Sequence, residues 1–398
     1  MSRIPQLAEN DGLGAAAPRA GAAPRGQPAR WLPTVDEAYR QMLAAIERAC
    51  FSIRFEFYIF RAGDPGDRFR EALVAAARRG VRVRVLLDDF GSGDLHRDYW
   101  DRLRAAGGEM QWFNRRPLLR LPVRNHQKLV VVDDAVGFVG GFNLAPEYAG
   151  DGVESGWRDL GLMLSGSLVS GLASAFDAMW QHRDFKGYRA IRALGSRWRH
   201  RLRRASNSML ALTGPAFGRN TFQEMVIKDI LAARDVRIIA AYFTPSLRLR
   251  RALRRVVRSG GRVRVILAGK TDVPMVQAAG RTFYRRLLRA GIELAEYQPQ
   301  VLHAKLVLAD DVVFAGSANL DVRSLTVNYE LMVRLADRGL AEGGRAIFDA
   351  DWARSRPILR EEWRRTRTWA DKLYGAAARF CLTKIDPWFA RVRLRNLA

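Results

Sequence analysis

The chain has 398 residues, enough for two ordinary domains or one duplicated one, and its 48% apolar content excludes global disorder. It carries 66 Lys and Arg against 41 Asp and Glu, a formal charge of +25 that draws polyanions, either nucleic acid or anionic lipid. Cys50 and Cys381 offer neither a disulfide framework nor metal-ligand spacing, and no apolar run reaches the roughly 20 residues of a membrane-spanning helix.

Residues 1–34 are rich in Ala, Gly, Pro and Arg and form no clean apolar signal core, so they read as a disordered N-terminal arm. Thr34 is placed to cap a helix with Met42, Leu43, Ile46 and Ala49 on one face. Ile53, Phe55, Phe57 and Ile59 alternate as a strand, Arg68 to Arg79 reads as a helix ended by Gly80, and Val81 to Asp88 is a second strand. A helix from about Arg97 to Ala106 stops at Gly107-Gly108, ahead of a strand at Glu109 to Phe113. This alternation predicts an α/β layer with parallel pairing.

The order then recurs. Val236 to Phe243 resembles the first strand, with Tyr242 matched to Tyr58. Leu247 to Arg258 reads as a helix ended by Gly260-Gly261, and Arg262 to Leu267 as the next strand. Thr282 to Arg289 and Ile292 to Tyr297 supply a further helix and strand. The chain therefore divides into a first repeat (35–185), a basic linker (186–206), a second repeat (207–368) and an amphipathic C-terminal segment (369–398).

One constellation appears in both repeats. His126 and Lys128 precede an apolar run, Asp133, and then Gly140-Gly141-Phe142-Asn143. His303 and Lys305 precede a similar run, Asp310, and then Gly316-Ser317-Ala318-Asn319. A strand carrying His126 and Lys128, or His303 and Lys305, would present both side chains of the pair on one face. Asn143 and Asn319 follow glycine-containing turns that can return amide donors to the same place. Asp133 and Asp310 sit where strands end and fit structural turns. Two imidazoles, two ammoniums and two amides converging on one point suit a phosphate, with charge stabilisation by Lys and Asn and nucleophilic and acid–base work by His. That chemistry needs no metal and no cofactor.

These motifs resemble the phospholipase D superfamily, whose duplicated His-x-Lys-x-x-x-x-Asp and Gly-Gly/Ser-x-Asn elements are both present in full. Within it the chain is most similar to bacterial cardiolipin synthases, on Tyr58-Ile59-Phe60, Trp157-Arg158-Asp159-Leu160, Leu302-His303-Ala304-Lys305 and Asn328-Tyr329-Glu330, across roughly residues 35 to 365. The resemblance implies two pseudo-symmetric α/β/α sandwich domains of phospholipase D type sharing one central active site. It implies phosphatidyl transfer between phospholipids through a phosphohistidine, with His126 as nucleophile and His303 as acid and base. It further implies that Asp159 and Glu330, each following its histidine in the chain, accept a hydrogen bond from the imidazoles, and that Asp133, Asp310 and Ser317 are structural. The alternatives of the same chemistry are a nucleic-acid phosphodiesterase and head-group exchange with a small alcohol.

The resemblance is to a short form without N-terminal transmembrane helices, which implies a cytoplasmic, peripheral enzyme on the inner face of the cell membrane. Its expected partners are phospholipid substrates and an anionic membrane surface; nucleic acid is disfavoured by the apolar stretches near the site. Leu118, Leu119 and Leu121 alternate with arginines just before His126 and read as a lipid-inserting loop. Trp388 and Phe389, on a basic aromatic stripe at helical spacing, read as a second lipid contact.

Overall fold

The computed structural model describes residues 29–115, 123–181, 183, 208–214 and 221–388. The first half contains β1 (Ala29–Leu32), β2 (Ser52–Phe57), β3 (Arg82–Asp88), β4 (Glu109–Phe113), β5 (Leu129–Val132), β6 (Val136–Gly140) and β7 (Gly161–Ser165). They form one sheet in the order β1-β7-β6-β5-β2-β3-β4. The second half contains β8 (Ser208–Thr213), β9 (Asp235–Ala240), β10 (Arg262–Lys270), β11 (Glu293–Val301), β12 (Lys305–Ala309), β13 (Val312–Gly316), β14 (Glu330–Ala336) and β15 (Ser355–Pro357). Read from β8, its sheet runs β8-β14-β13-β12-β9-β10-β11, the same order as the first, with β15 added at the edge. The duplication is thus one of topology as well as of motif.

Among the described strands, parallel pairing is confined to β2-β3-β4 and β9-β10-β11; the motif strands β5 and β12 run antiparallel to β2 and β9. The halves are mixed rather than purely parallel: β5–β6 and β12–β13 are hairpins joined by short turns, which only antiparallel neighbours allow, and β7 and β14 then pair antiparallel with β6 and β13.

Three sequence expectations need correction. The arm does not extend to residue 34: Ala29 to Leu32 pair with Leu164 to Gly161 as β1, the counterpart of β8 on β14. Four residues are too few to show an alternating pattern, so the composition around them masks the strand. The histidines do not lie on strands, since β5 begins at Leu129 and β12 at Lys305, after each one. Finally, Tyr242 is the counterpart of Ile59 rather than Tyr58, because Phe60 bridges Leu144 in one half and Phe243 bridges Leu320 in the other.

Helices cover the outer face of each sheet. Thr34 caps Val35–Glu47 by accepting from Glu37 N at 3.2 Å, and Met42 and Ile46 of that helix pack with Val130 and Val132 of β5. In the second half Leu253 of Leu247–Arg258 packs in the cluster that holds Val307 of β12. Gly80 and Gly260, at φ +87° and +80°, turn the chain from helix to strand through the left-handed region that glycine enters without strain.

The opposite faces meet. Leu129 and Val131 of β5 share one cluster with Leu306 and Leu308 of β12, closed by Leu172 and Phe176 of helix Ser167–Gln181 and by Phe348 of helix Arg338–Ala353. Period-two alternation therefore sends one side chain to the outer helices and the next to the other half. The two halves share one apolar core, so each fixes the other's position.

Candidate active site

Each motif histidine is positioned by backbone hydrogen bonds to the opposite half. His126 N donates to Tyr329 O at 2.9 Å, and Tyr329 N to Arg124 O at 2.9 Å. Likewise His303 N donates to Arg158 O and Arg158 N to Val301 O, both at 2.8 Å. These short parallel bridges are pseudo-symmetric. Glu330 follows Tyr329 and Asp159 follows Arg158, so the pairing that fixes each histidine also brings it a carboxylate.

His126 Nδ1 lies 2.9 Å from Glu330 Oε2, and His303 Nδ1 lies 2.5 Å from Asp159 Oδ2. This corrects the pairing expected from chain order. Asp159 follows His126 but serves His303, and Glu330 follows His303 but serves His126. The crossing arises because the bridges join one half's motif segment to the other half's carboxylate strand.

Burial opposes ionisation of both carboxyls, yet Lys305 and His303 around Asp159 hold it below its usual range. His126, Lys128 and the Ser317 hydroxyl do the same for Glu330. An ionised carboxylate only accepts, so each imidazole proton is assigned to Nδ1 and each Nε2 keeps its lone pair. Desolvation pushes His126 down to about 4 against the pull of Glu330. Burial and the neighbouring Lys305 also lower His303. Both shifts favour the neutral imidazole.

The ammoniums lie close beneath. Lys128 Nζ donates to His126 O at 2.7 Å, while Lys305 Nζ donates to His303 O and lies 2.9 Å from His303 Nδ1. Burial lowers Lys128 to about 7 and Lys305 to about 8, although Glu330 and Asp159 favour their charged forms. An anionic group bound beside them would favour the charged form of both lysines.

Asn143 and Asn319 are equivalent. Asn143 Oδ1 accepts from Ile59 N at 3.1 Å and Asn319 Oδ1 from Tyr242 N at 3.3 Å, which leaves the carboxamide NH2 groups as the donor ends. One Asn143 amide hydrogen goes to Tyr148 Oη at 2.8 Å. Both asparagines and both histidines line a single cavity of about 480 Å³.

The remaining motif residues support from outside. Asp133 caps the start of β2 by accepting from Cys50, Phe51 and Ser52 N, and Asp310 caps β9 through Arg234 and Asp235 N. Ser317 Oγ donates to Glu330 Oε2 at 2.7 Å. Its counterpart Gly141 has no room for a side chain: a Cβ there would lie 2.3 Å from Asp159 Oδ1. Trp388 is exposed; Leu118, Leu119, Leu121 and Phe389, like the basic linker, lie outside the described residues.

Several site residues escape motif reading. Tyr58 lies 4.8 Å, centroid to centroid, from His126, with Lys128 Nζ 5.2 Å from the tyrosine centroid. Tyr148 and Trp157 flank His303 at 5.2 and 5.6 Å. These rings pack beside the imidazoles. Glu56 accepts from Asn125 Nδ2 at 2.5 Å, and burial pushes its carboxyl up to about 8 despite Lys128. Its strand-register counterpart is Ile239, so repeat matching gives no signal for it. Tyr58 had a signal, a polar ring at the end of an apolar strand, but its register mate Ala241 lacks the ring.

Residues 42–180 and 226–352 match the family model described as cardiolipin synthase, PLD-like domain. The chain is 32% identical over 341 residues to major cardiolipin synthase ClsA of Bacillus subtilis (strain 168), covering 84% of this chain and 70% of that protein. It is 34% identical over 347 residues to cardiolipin synthase A of Pseudomonas fluorescens, covering 85% and 71%. Among solved structures, phosphatidylserine synthase of Haemophilus influenzae superposes with a TM-score of 0.64 at 14% identity, over 91% of this chain and 94% of that one, a likeness of fold.

Proposed function

The chain belongs to the cardiolipin synthase, PLD-like domain family, and we propose that it is a phosphatidyltransferase converting two phosphatidylglycerols to cardiolipin and glycerol. The observation that carries the mechanism is the pair of imidazoles on one cavity, each held through Nδ1 by a carboxylate of the other half.

In this reading His126 Nε2 attacks the phosphorus of the donor lipid. The N–P bond forms, the bond to the glycerol oxygen breaks, and His303 gives that oxygen its proton. His303 must be protonated to do so, and the bound phosphate's charge beside it and Asp159 favours that state. The acceptor hydroxyl then surrenders its proton to His303, attacks phosphorus and displaces His126. Lys128, Lys305 and the carboxamides of Asn143 and Asn319 hold the non-bridging oxygens as charge builds in the five-coordinate state. Glu330 and Asp159 stabilise the imidazolium character of each ring in turn.

The cardiolipin synthases that the chain resembles support phospholipids as the substrate class. We assign the enzyme to the inner face of the cell membrane as a peripheral protein; no helix among the described residues is long and apolar enough to cross a membrane. Purified protein incubated with phosphatidylglycerol vesicles should yield cardiolipin plus free glycerol by mass spectrometry, and an acid-labile phosphoenzyme mapping to His126. Cleavage of nucleic acid with no lipid turnover would overturn the reading.

A further inference from the structure

After Thr368 the chain forms a helix, Trp369–Phe380, that continues through a π-helical turn, Cys381–Ile385, to residue 388. It sits on helix Pro274–Arg281 through small residues. Gly375 and Ala378 are buried, and a Cβ on Gly375 would meet Thr282 Cγ2 at 2.9 Å and Ala278 O at 3.0 Å. Its large apolar side chains face away: Trp369 is 76% exposed, Leu373 63%, Phe380 59% and Trp388 59%. An amphipathic helix ordinarily turns its large apolar residues toward its own domain. Here the small face docks on the protein and the large face is presented outward.

Basic side chains flank this helix, Arg379 on its docked side over the Phe283 ring and Lys372 and Lys384 exposed. Arg379 stands with Arg250, Arg251 and Arg286, and after burial their mutual repulsion lowers the Arg250 guanidinium from its usual value. Apolar side chains amid basic ones match the interfacial region of an anionic bilayer, where acyl chains take the former and lipid phosphates the latter. A second copy of this +25 chain is a poor occupant, since its field opposes approach.

The same segment walls the active site. Leu382 lines the cavity, as do Phe90 and Arg323. Arg323 Nη1 donates to both Asp386 oxygens, at 2.6 and 2.7 Å, so the segment is tied to the short helix Val322–Thr326 that follows Asn319. Phe90 is 55% exposed, with Arg124 stacked 3.8 Å from its ring centroid.

We propose that the C-terminal helix is the membrane-docking element, laying Trp369, Leu373, Phe380 and Trp388 into an anionic phospholipid bilayer so that the cavity it walls opens onto the head groups. The proposal rests on the phosphatidyltransferase reading for its choice of lipid, but vesicle binding is measured without turnover and fails independently of it.

The test compares the full chain with a Trp369→Ser, Leu373→Ser, Trp388→Ser variant. Partitioning is followed by co-sedimentation with vesicles of phosphatidylglycerol and phosphatidylcholine, and turnover with both vesicles and a monomeric short-chain phosphatidylglycerol. Partitioning and vesicle turnover should fall at least about tenfold, while monomer turnover stays within about twofold. Unchanged partitioning, or equal loss on both substrates, overturns the proposal. So does a concentration-dependent dimer that disappears in the variant, which would mark the face as a protein interface. A polarity-sensitive dye at Leu373→Cys, in a Cys50→Ser, Cys381→Ser background, tests the otherwise intact helix. Its emission should shift blue with phosphatidylglycerol vesicles, and an unshifted spectrum overturns the proposal.

Discussion

Glu330 accepts the Nδ1 proton of His126 across the boundary between the two halves, at 2.9 Å. Asp159 does the same for His303 in the reverse direction, at 2.5 Å. Neither half therefore contains a complete histidine–carboxylate unit. The proposed single catalytic centre per chain rests on this exchange, even though the motif occurs twice.

Exchanging Glu330 for Gln, or Asp159 for Asn, keeps the shape and removes the charge that sets each ring's tautomer. Phosphatidylglycerol turnover should drop by about 10³-fold in either variant, with circular dichroism unchanged. Ser317→Ala removes one hydrogen bond to Glu330 and should cost about tenfold. Wild-type rates in Glu330→Gln would remove the carboxylate from the mechanism.

The division of labour between the histidines is separable with a leaving group that needs no acid. On a p-nitrophenyl phosphodiester of the lipid, His303→Ala should still release a burst of p-nitrophenol and retain the phosphoenzyme. His126→Ala should give neither. The opposite pattern would exchange the two roles.

Glu56 gives a pH signature. Burial raises its carboxyl to about 8, above its ordinary value of 4.5. The folded state then holds this proton more tightly than the unfolded chain. Its stabilising contribution is complete below 4.5 and is lost as pH rises through about 8. Gln mimics the protonated acid and cannot lose it. Glu56→Gln should thus match wild type near pH 5 and gain a few kcal/mol at most by pH 9, read as a Tm difference that grows with pH. A pH-independent difference would show that Glu56 does not titrate in this window.

Gly141 lies against Asp159, with no space between them for a methyl group. Gly141→Ala should push the carboxylate off His303, lowering kcat about 100-fold and destabilising the fold by about 1–3 kcal/mol. The equivalent Ser317→Gly should keep the fold and lose only about tenfold in kcat, because it removes a hydrogen bond without adding a clash. Equal behaviour of the two variants would contradict the asymmetry of the half-sites.

Sequence by itself determined the duplication, both His-Lys pairs, both asparagines and the chemistry they suit. These residues carry distinctive functional groups at fixed intervals, and the intervals survive in one dimension. Helix ends at Gly80 and Gly260 were legible for the same local reason, since backbone handedness is a property of single residues. Tertiary structure decided what depends on contact between distant segments. Only the bridges of Asn125 with Tyr329 and of Arg158 with Leu302 cross the carboxylates between halves. Only strand register moves Tyr242 into line with Ile59, and only sheet pairing turns Ala29 to Leu32 from arm into strand. The outward face of the C-terminal helix was decided in the same way. Spacing alone shows that apolar residues share a side, but Gly375 and Ala378 seating on the neighbouring helix determine which side meets solvent.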